Sequence, residues 1–357
     1  MNKPLQTLVI LTPAFPKNES ETGWVPTQQI LVRELKKQFP LVNIVVLSFL
    51  YPYEEIEYNW HGINITAFGG INKRKLKRLQ LWQNTWKKLR EIRKGNNIIG
   101  ILSFWCGECA LVGRYFSRMY GIKHYCWICG QDARKQNRYV KFIRPPANEL
   151  VAISDFVAGE FCKNHGTKPG YTIPNAIDQN MFSAFAPEEK DIDVLAVASI
   201  HALKQYNIFV SVIKTLKSYL PGIKAVQVGD GEEKETLKML INGAGVSQDI
   251  NLSGMQPHEE VLKLMQRSKI LLHPSAYEGF STVCLEALYA GAHVISFVKP
   301  MDHEIKNWHI VKTEEEMGKK ALELLSDSHI QHEQILVYSM ENIAKQFMSL
   351  FHHNIAI

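Results

Sequence analysis

Two carboxylates carry the clearest chemistry in the sequence. Glu278 and Glu286 stand eight positions apart in His273–Gly291, HPSAYEGFSTVCLEALYAG, on either side of a Gly-Phe-Ser-Thr loop. Ile270–Leu272 is a short apolar run that fits a buried strand, and Pro274 stops it. Gly279 permits a tight turn, and Thr282–Ala290 has helical spacing that ends at Gly291, a natural helix stop. The helix therefore starts at Gly279–Thr282, where unpaired N–H groups and aligned peptide dipoles attract phosphate. Glu278 lies just before that anion site. Glu286 lies about one turn inside the helix, a rise of roughly 6 Å for four residues. A diphosphate at the helix start would have one carboxylate near each of its two substituents. An ionised carboxylate accepts several strong hydrogen bonds, so each suits a set of hydroxyls. Sugar hydroxyls on one side and ribose hydroxyls on the other describe a nucleotide sugar.

Such a site needs a strand–loop–helix unit to hold it, and the chain repeats that unit throughout. Candidate strands in the first half are Thr7–Leu11, Asn43–Ser48, Ile63–Phe68, Ile98–Phe104, His124–Cys129 and Glu149–Ile153. In the second half they are Val194–Ser199, Lys224–Val228, Ile250–Leu252, Ile270–Leu272 and His293–Phe297. Helical spacing fills the gaps, including Val25–Gln38, Leu76–Lys94, Ile208–Tyr219, Glu232–Asn242 and Glu259–Gln266. This alternation predicts an α/β protein with parallel sheets covered on both faces. At 357 residues the chain is long enough for two domains, each with its own core. The boundary is expected at Asn180–Lys190, which carries Pro187 and a charge run without a clear period. A content of 46% apolar and 21% charged residues is that of an ordinary globular chain. No apolar run approaches the length of a membrane-spanning helix. Leu8–Leu11 reads as a first strand rather than a leader core, which places the protein in the cytoplasm.

The Glu278–Glu286 stretch resembles the E-x7-E signature of the retaining glycosyltransferase family 4. That resemblance implies the GT-B fold, two Rossmann-like domains with parallel sheets facing a central cleft. Residues 1–180 would form the acceptor-binding domain and residues 190–335 the nucleotide-sugar-binding domain. Residues 336–357, amphipathic over Ile335–Phe351, would form a last helix crossing back to the first domain. By the same resemblance Glu286 would hold the ribose and Glu278 the hydroxyls of the donor sugar. The backbone of Gly279, Phe280, Ser281 and Thr282, together with Lys204, would stabilise the departing diphosphate. The implied reaction moves a hexosyl group from a nucleotide diphosphate sugar to a glycan or lipid-linked acceptor, in cell-surface glycan or glycolipid synthesis. The anomer would be retained, with no protein nucleophile, metal or cofactor, the leaving phosphate drawing the acceptor's proton. Domain closure would exclude water. The alternative on the same fold is a nucleotide-sugar epimerase, which needs acidic groups around the sugar and no acceptor site.

Other segments match the family unevenly. Family members carry an arginine and a lysine five apart after the first strand of the second domain; here these positions are Ser199 and Lys204. Lys204 alone is expected to meet the diphosphate, since departing phosphate needs a cation. Gly229-Asp230-Gly231 follows a strand and opens a helix, beside the nucleotide in the family and otherwise an ordinary βα turn. Gly23 matches the glycine that lets the first loop approach donor phosphate. Cys129-Gly130-Gln131-Asp132 occupies the place of H-G-x-D, with a thiol where the histidine would be. Asp132 is expected to hold an acceptor hydroxyl, with Lys135 and Arg138 available to an anionic acceptor. Ile173–Asp178 resembles the family's hinge and reads as a linker. His273 reads as a structural histidine.

Two further patterns suggest other functions. Cys106-x2-Cys109 and Cys126-x2-Cys129 have the spacing of a zinc ribbon. Cys126 and Cys129 fall in a strand-like run, where residues three apart face opposite ways, so buried thiols are expected and no metal. Lys73–Lys94 carries ten Lys/Arg and one Glu, interleaved with Leu76, Leu79, Trp82, Trp86, Leu89 and Ile92. The apolar stripe is expected to pack on the sheet. The basic face could rest on anionic lipid at the inner membrane face. Nucleic acid is not expected, because neither aromatic platforms nor groove-reading motifs accompany the charge, and a net charge of +6 is modest.

Overall fold

The strand–helix alternation is realised twice. The computed structural model describes residues 4–21, 23–70, 75–183 and 190–351, and the chain divides into two units. Unit 1 is Met1–Asn175 with Met340–Ile357, and unit 2 is Ala176–Ser339. The chain thus passes between units inside the Ile173–Asp178 segment and again at Ser339/Met340. Residues 184–189, within the expected linker, lie outside the described residues.

Unit 1 holds the strands β1 (Gln6–Ala14), β2 (Asn43–Tyr51), β3 (Glu55–Trp60), β4 (Ile63–Phe68), β5 (Asn97–Phe104), β6 (His124–Ile128), β7 (Leu150–Ala152) and β8 (Tyr171–Thr172). They form one sheet in the order β3-β4-β2-β1-β5-β6-β7-β8. Every pairing is parallel except β3 with β4. The helices are α1 (Pro26–Gln38), α2 (Lys75–Gly95), α3 (Glu108–Tyr120), α4 (Tyr139–Ile143) and α5 (Asp155–His165). With both faces covered, the central strands read as continuous apolar runs, and Leu8, Val9, Ile10 and Leu11 are fully buried. Burying each such side chain contributes about 1.5–3 kcal/mol.

Two features of unit 1 differ from the sequence reading. The hairpin strand β3 was not expected; its Glu-Ile-Glu-Tyr-Asn-Trp alternation turns at His61-Gly62, both at positive φ, to pair with β4. Its mixed polarity fits an edge strand and hides it from a search for continuous apolar runs. In α2 the buried stripe runs through Leu81, Thr85, Leu89 and Ile92, whereas Leu79 is exposed. Trp82 and Trp86 pack only at the margin of that core.

Unit 2 holds β9 (Ile192–Val197), β10 (Ala225–Val228), β11 (Ile250–Gly254), β12 (Ser268–His273), β13 (His293–Ser296) and β14 (Trp308–Ile310). Their order is β11-β10-β9-β12-β13-β14, parallel throughout. Numbered within the unit this is 3-2-1-4-5-6, the doubly wound arrangement that reverses direction between its first and fourth strands. Helices α6 (Tyr206–Tyr219), α7 (Lys234–Ala244), α8 (His258–Gln266), α9 (Thr282–Tyr289) and α10 (Glu314–Ser326) complete it, around a core that includes Phe209, Ile213, Ile270 and Leu272. Among the described residues no helix is long and apolar enough to cross a membrane.

The last helix, α11 (Met340–Phe351), belongs to unit 1 and packs against α1. Phe347 meets the Trp127 ring edge-on at 4.9 Å, and Phe351 meets Tyr125 at 5.1 Å. Gly100 on β5 makes room for Phe351: a Cβ there would lie 2.0 Å from its ring. Lys123 Nζ and Tyr125 Oη donate to the final carbonyls of the helix at 3.0–3.2 Å, satisfying groups that a helix end leaves open.

Candidate functional site

In unit 2, β9 leads to β10 on one side and β12 leads to β13 on the other. The loops leaving these two neighbouring strands therefore part at the C-terminal edge of the sheet, where open α/β sheets bind ligands. Lys204 follows β9 and Glu278 follows β12. Lys204 closes a single helical turn, Ala202–Lys204, and Ala276 N donates to Leu203 O at 3.0 Å, which ties the two loops together. Lys204 Nζ reaches Glu278 Oε2 at 2.5 Å. His273 Nε2, at the end of β12, lies 3.3 Å from the same oxygen and 3.2 Å from Ser275 Oγ. Burial on its own would raise the Glu278 carboxyl, but His273 and Lys204 outweigh it and hold the group down at about 2. Glu278 is therefore a fixed anion at neutral pH, and His273 positions it.

The helix that follows is built as the sequence predicts. Ser281 caps α9 and accepts from Cys284 N, while Cys284, Leu285, Ala287 and Leu288 anchor the inner face. Gly291 takes φ 78°, and Ala292 N donates to Ala287 O at 2.9 Å, ending the helix in a Schellman turn. Glu286 is buried one turn in, and its Oε1 lies 2.8 Å from His258 Nε2 at the start of α8. The hydrogen bond to Glu286 raises the His258 imidazole above its ordinary value. Spacing gave no hint of this partner, because the two residues are 28 positions apart with β12 between them.

The remaining predicted residues have plainer roles. The Phe280 side chain is buried, stacked on Trp308 and edge-on to Tyr338, both at 5.9 Å, so the ring belongs to the core of unit 2. Gly229, at φ 130°, and Gly231 are required by close backbone packing: a Cβ would lie 2.0 Å from Ala198 O and 2.2 Å from Ile200 O. Asp230 pairs with Lys234 at 2.6 Å, which lowers its carboxyl. Ser199 is exposed just beyond β9.

Gly23 and Asp132 lie in unit 1. Gly23 is exposed in the loop after β1, with open space where a Cβ would be. Asp132 is the residue expected to hold an acceptor hydroxyl. It is buried, and its two oxygens accept from Cys106 N at 2.9 Å and Cys129 N at 2.8 Å, bracing the ends of β5 and β6. Burial pushes its carboxyl up to about 7. Cys129 is pushed well up as well, by burial and by Asp132, so it is a neutral thiol. Cys106, Cys109 and Cys126 are buried free thiols. Among the described residues no three His, Cys, Asp or Glu side chains are placed to hold a metal ion.

Residues 178–339, nearly all of unit 2, match the family model for glycosyl transferases group 1. Unit 2 is similar to the glycosyl transferases group 1 family over those residues. Over 209 residues the chain is 26% identical to the gpi3 subunit of phosphatidylinositol N-acetylglucosaminyltransferase of Schizosaccharomyces pombe, covering 55% of this chain and 44% of that protein. The chain thus spans less than half the length of that relative. A glycosyltransferase of Methanocaldococcus jannaschii is 21% identical over 272 residues, 74% of this chain and 73% of its own. Solved structures extend the likeness to both units. The lipopolysaccharide outer core galactosyltransferase WaaB superposes with TM-score 0.66 at 15% identity, over 97% of this chain and 95% of its own. Anabaena HepE, in complex with UDP and glucose, gives 0.65 at 17%, over 96% and 95%. The fold is the two-domain GT-B fold. Within the matched residues, the Lys204–Glu278 and Glu286–His258 pairs are polar groups that the switch-point loops and α9 bring together.

Proposed function

We propose that the protein is a retaining glycosyltransferase that moves a hexosyl group from a nucleotide diphosphate sugar to an acceptor hydroxyl. The observation that carries this is the Lys204–Glu278 pair, 2.5 Å apart at the switch point of unit 2 and directly ahead of α9. The start of α9 supplies a positive dipole end for a diphosphate. Lys204 has two further N–H donors and can turn one toward phosphate while keeping Glu278. Glu278, ionised and held by His273, accepts hydrogen bonds from donor-sugar hydroxyls, and Glu286 accepts from the ribose with His258 behind it. Positive charge at the leaving group then comes from Lys204 and the helix end, without a metal or cofactor. The leaving phosphate takes the acceptor's proton on the face from which attack occurs, so the anomer is retained.

UDP heads the candidate nucleotides, since HepE was solved with UDP and the gpi3 relative is named for N-acetylglucosaminyl transfer. Proton NMR of the product formed from UDP-N-acetylglucosamine or UDP-glucose tests the reading. A product with the donor's anomeric configuration supports it, and an inverted one overturns it. Isomerised sugar from donor alone would make the protein an epimerase. We place the enzyme in the cytoplasm, serving cell-surface glycan or glycolipid synthesis, with the basic face of α2 toward anionic lipid. Part of that charge is engaged within unit 1: Arg78 pairs with Glu108, Lys88 with Glu57, and Arg93 lies 4.3 Å over the Tyr120 ring. Sedimentation with anionic liposomes at low salt tests the remainder.

A further inference from the structure

Unit 1 repeats the doubly wound reversal of unit 2, and its switch point lies between β1 and β5, with β2 next to β1 on the far side. What stands there is aromatic. Trp24, in the loop leaving β1, stacks on Tyr51 at the end of β2, with centroids 4.4 Å apart and planes 21° apart. Tyr53 meets Tyr51 edge-on at 4.9 Å. Tyr51 thus covers one face of the indole, yet Trp24 remains 37% exposed and Tyr53 57% exposed. Trp105 follows β5 directly and is partly exposed.

These rings are held in place at a cost. Val25 adopts φ 44° immediately after Trp24, and Trp105 adopts φ 64°, a left-handed backbone that β-branched and bulky residues avoid. The first loop is pinned from several sides. Glu21 accepts from Tyr51 Oη at 2.5 Å and from Lys17 N at 2.7 Å, and Gln29 Nε2 donates to Trp24 O at 2.5 Å. A solvent-facing indole fixed in this way is not serving the core.

We infer that Trp24, backed by Tyr51 with Tyr53 beside it, is a stacking platform for a pyranose ring of a saccharide ligand. The C–H face of a pyranose is weakly positive and apolar, which matches the negative face of an indole. The inference rests on the transferase reading and deepens it, by assigning the unit 1 switch point to the acceptor sugar.

Saturation-transfer NMR on the full chain with the methyl glycosides of glucose, galactose, mannose and N-acetylglucosamine tests it. Transfer to the ring protons of at least one glycoside is expected. It should fall about fivefold or more in Trp24→Ala and be largely kept in Trp24→Phe, since a phenyl ring still stacks. No transfer to any glycoside, or equal transfer in Trp24→Ala, overturns the platform. Thermal shift by UDP on the same samples reports unit 2 separately. If UDP still shifts Trp24→Ala, a failed glycoside result counts against the platform alone, and loss of UDP binding by the parent protein counts against the transferase reading.

Discussion

The two sheets reverse direction at the same place in their strand order, yet the side chains placed there differ in kind. In unit 2 the switch point carries Lys204 and Glu278, with His273 behind them. In unit 1 it carries Trp24 and Trp105, and the nearby carboxylate, Asp132, is locked to backbone N–H groups. The contrast between Glu278 and Asp132 is instructive. A carboxylate held by side chains can trade a partner for a ligand by rotating a lysine. One held by two backbone amides cannot do so without unfolding its loop. Burial raises both carboxyls, but at Glu278 His273 and Lys204 outweigh it and hold the group at about 2, whereas at Asp132 the two backbone N–H groups do not and it is pushed up to about 7.

Changing Lys204 tests this contrast most strongly. Lys204→Ala removes the cation expected at the leaving diphosphate, and transfer should fall by roughly 100-fold or more. It also leaves the half-buried Glu278 with His273 alone, and unfolding should become easier by about 1–3 kcal/mol. Activity that survives this change would break the comparison. Asp132→Asn should act in the opposite proportion. One of the two amides loses its acceptor, at a cost of about 1–3 kcal/mol in denaturant unfolding, with turnover of the remaining folded protein within a few-fold of the parent. Turnover lost in a stably folded Asp132→Asn protein would restore a direct part in acceptor binding.

A smaller effect separates the site from the scaffold around it within unit 2. His293 Nδ1 lies 3.2 Å from His309 Nε2, and His332 packs edge-on to His293 at 5.6 Å. Burial first, then neighbouring His293 and Lys320, lowers His309 to about 4; burial and Lys190 do the same for His332. The unfolded chain would take up protons near the ordinary histidine value, so these groups cost stability as pH falls from about 6.5 toward 4. Glu278 has the depressed-carboxylate sign: its contribution is present above about 4.5 and fades only as pH falls toward 2. Melting followed from pH 7 to 4 should therefore show a loss that His309→Asn reduces.

Much of this was legible in the sequence, for identifiable reasons. Parallel strands buried on both faces leave continuous apolar runs, so β1, β5 and β12 could be read directly. Gly291 and the two glutamates could be placed on one strand–loop–helix unit because its turn and stop glycines are written in residue type. The hairpin strand β3 was hidden by its edge polarity. Leu79 was assigned to the buried face of α2 because helical spacing fixes a stripe but not which side of it meets the sheet. His258 was invisible because its partnership with Glu286 is made by the sheet order. The backbone partners of Asp132 could not be read, because motif position gives a residue's neighbourhood and not the direction of its hydrogen bonds.

The central claim is that the switch point of unit 2 grips a nucleoside diphosphate through Lys204 at the phosphates and Glu286 at the ribose. Calorimetric titration of UDP, GDP, ADP and CDP into the parent protein, Lys204→Ala and Glu286→Gln tests it most directly. One nucleotide should bind the parent, and each substitution should weaken it about tenfold or more, consistent with losing a charged hydrogen bond. Absence of binding by all four, or equal affinity in parent and both variants, would contradict the account.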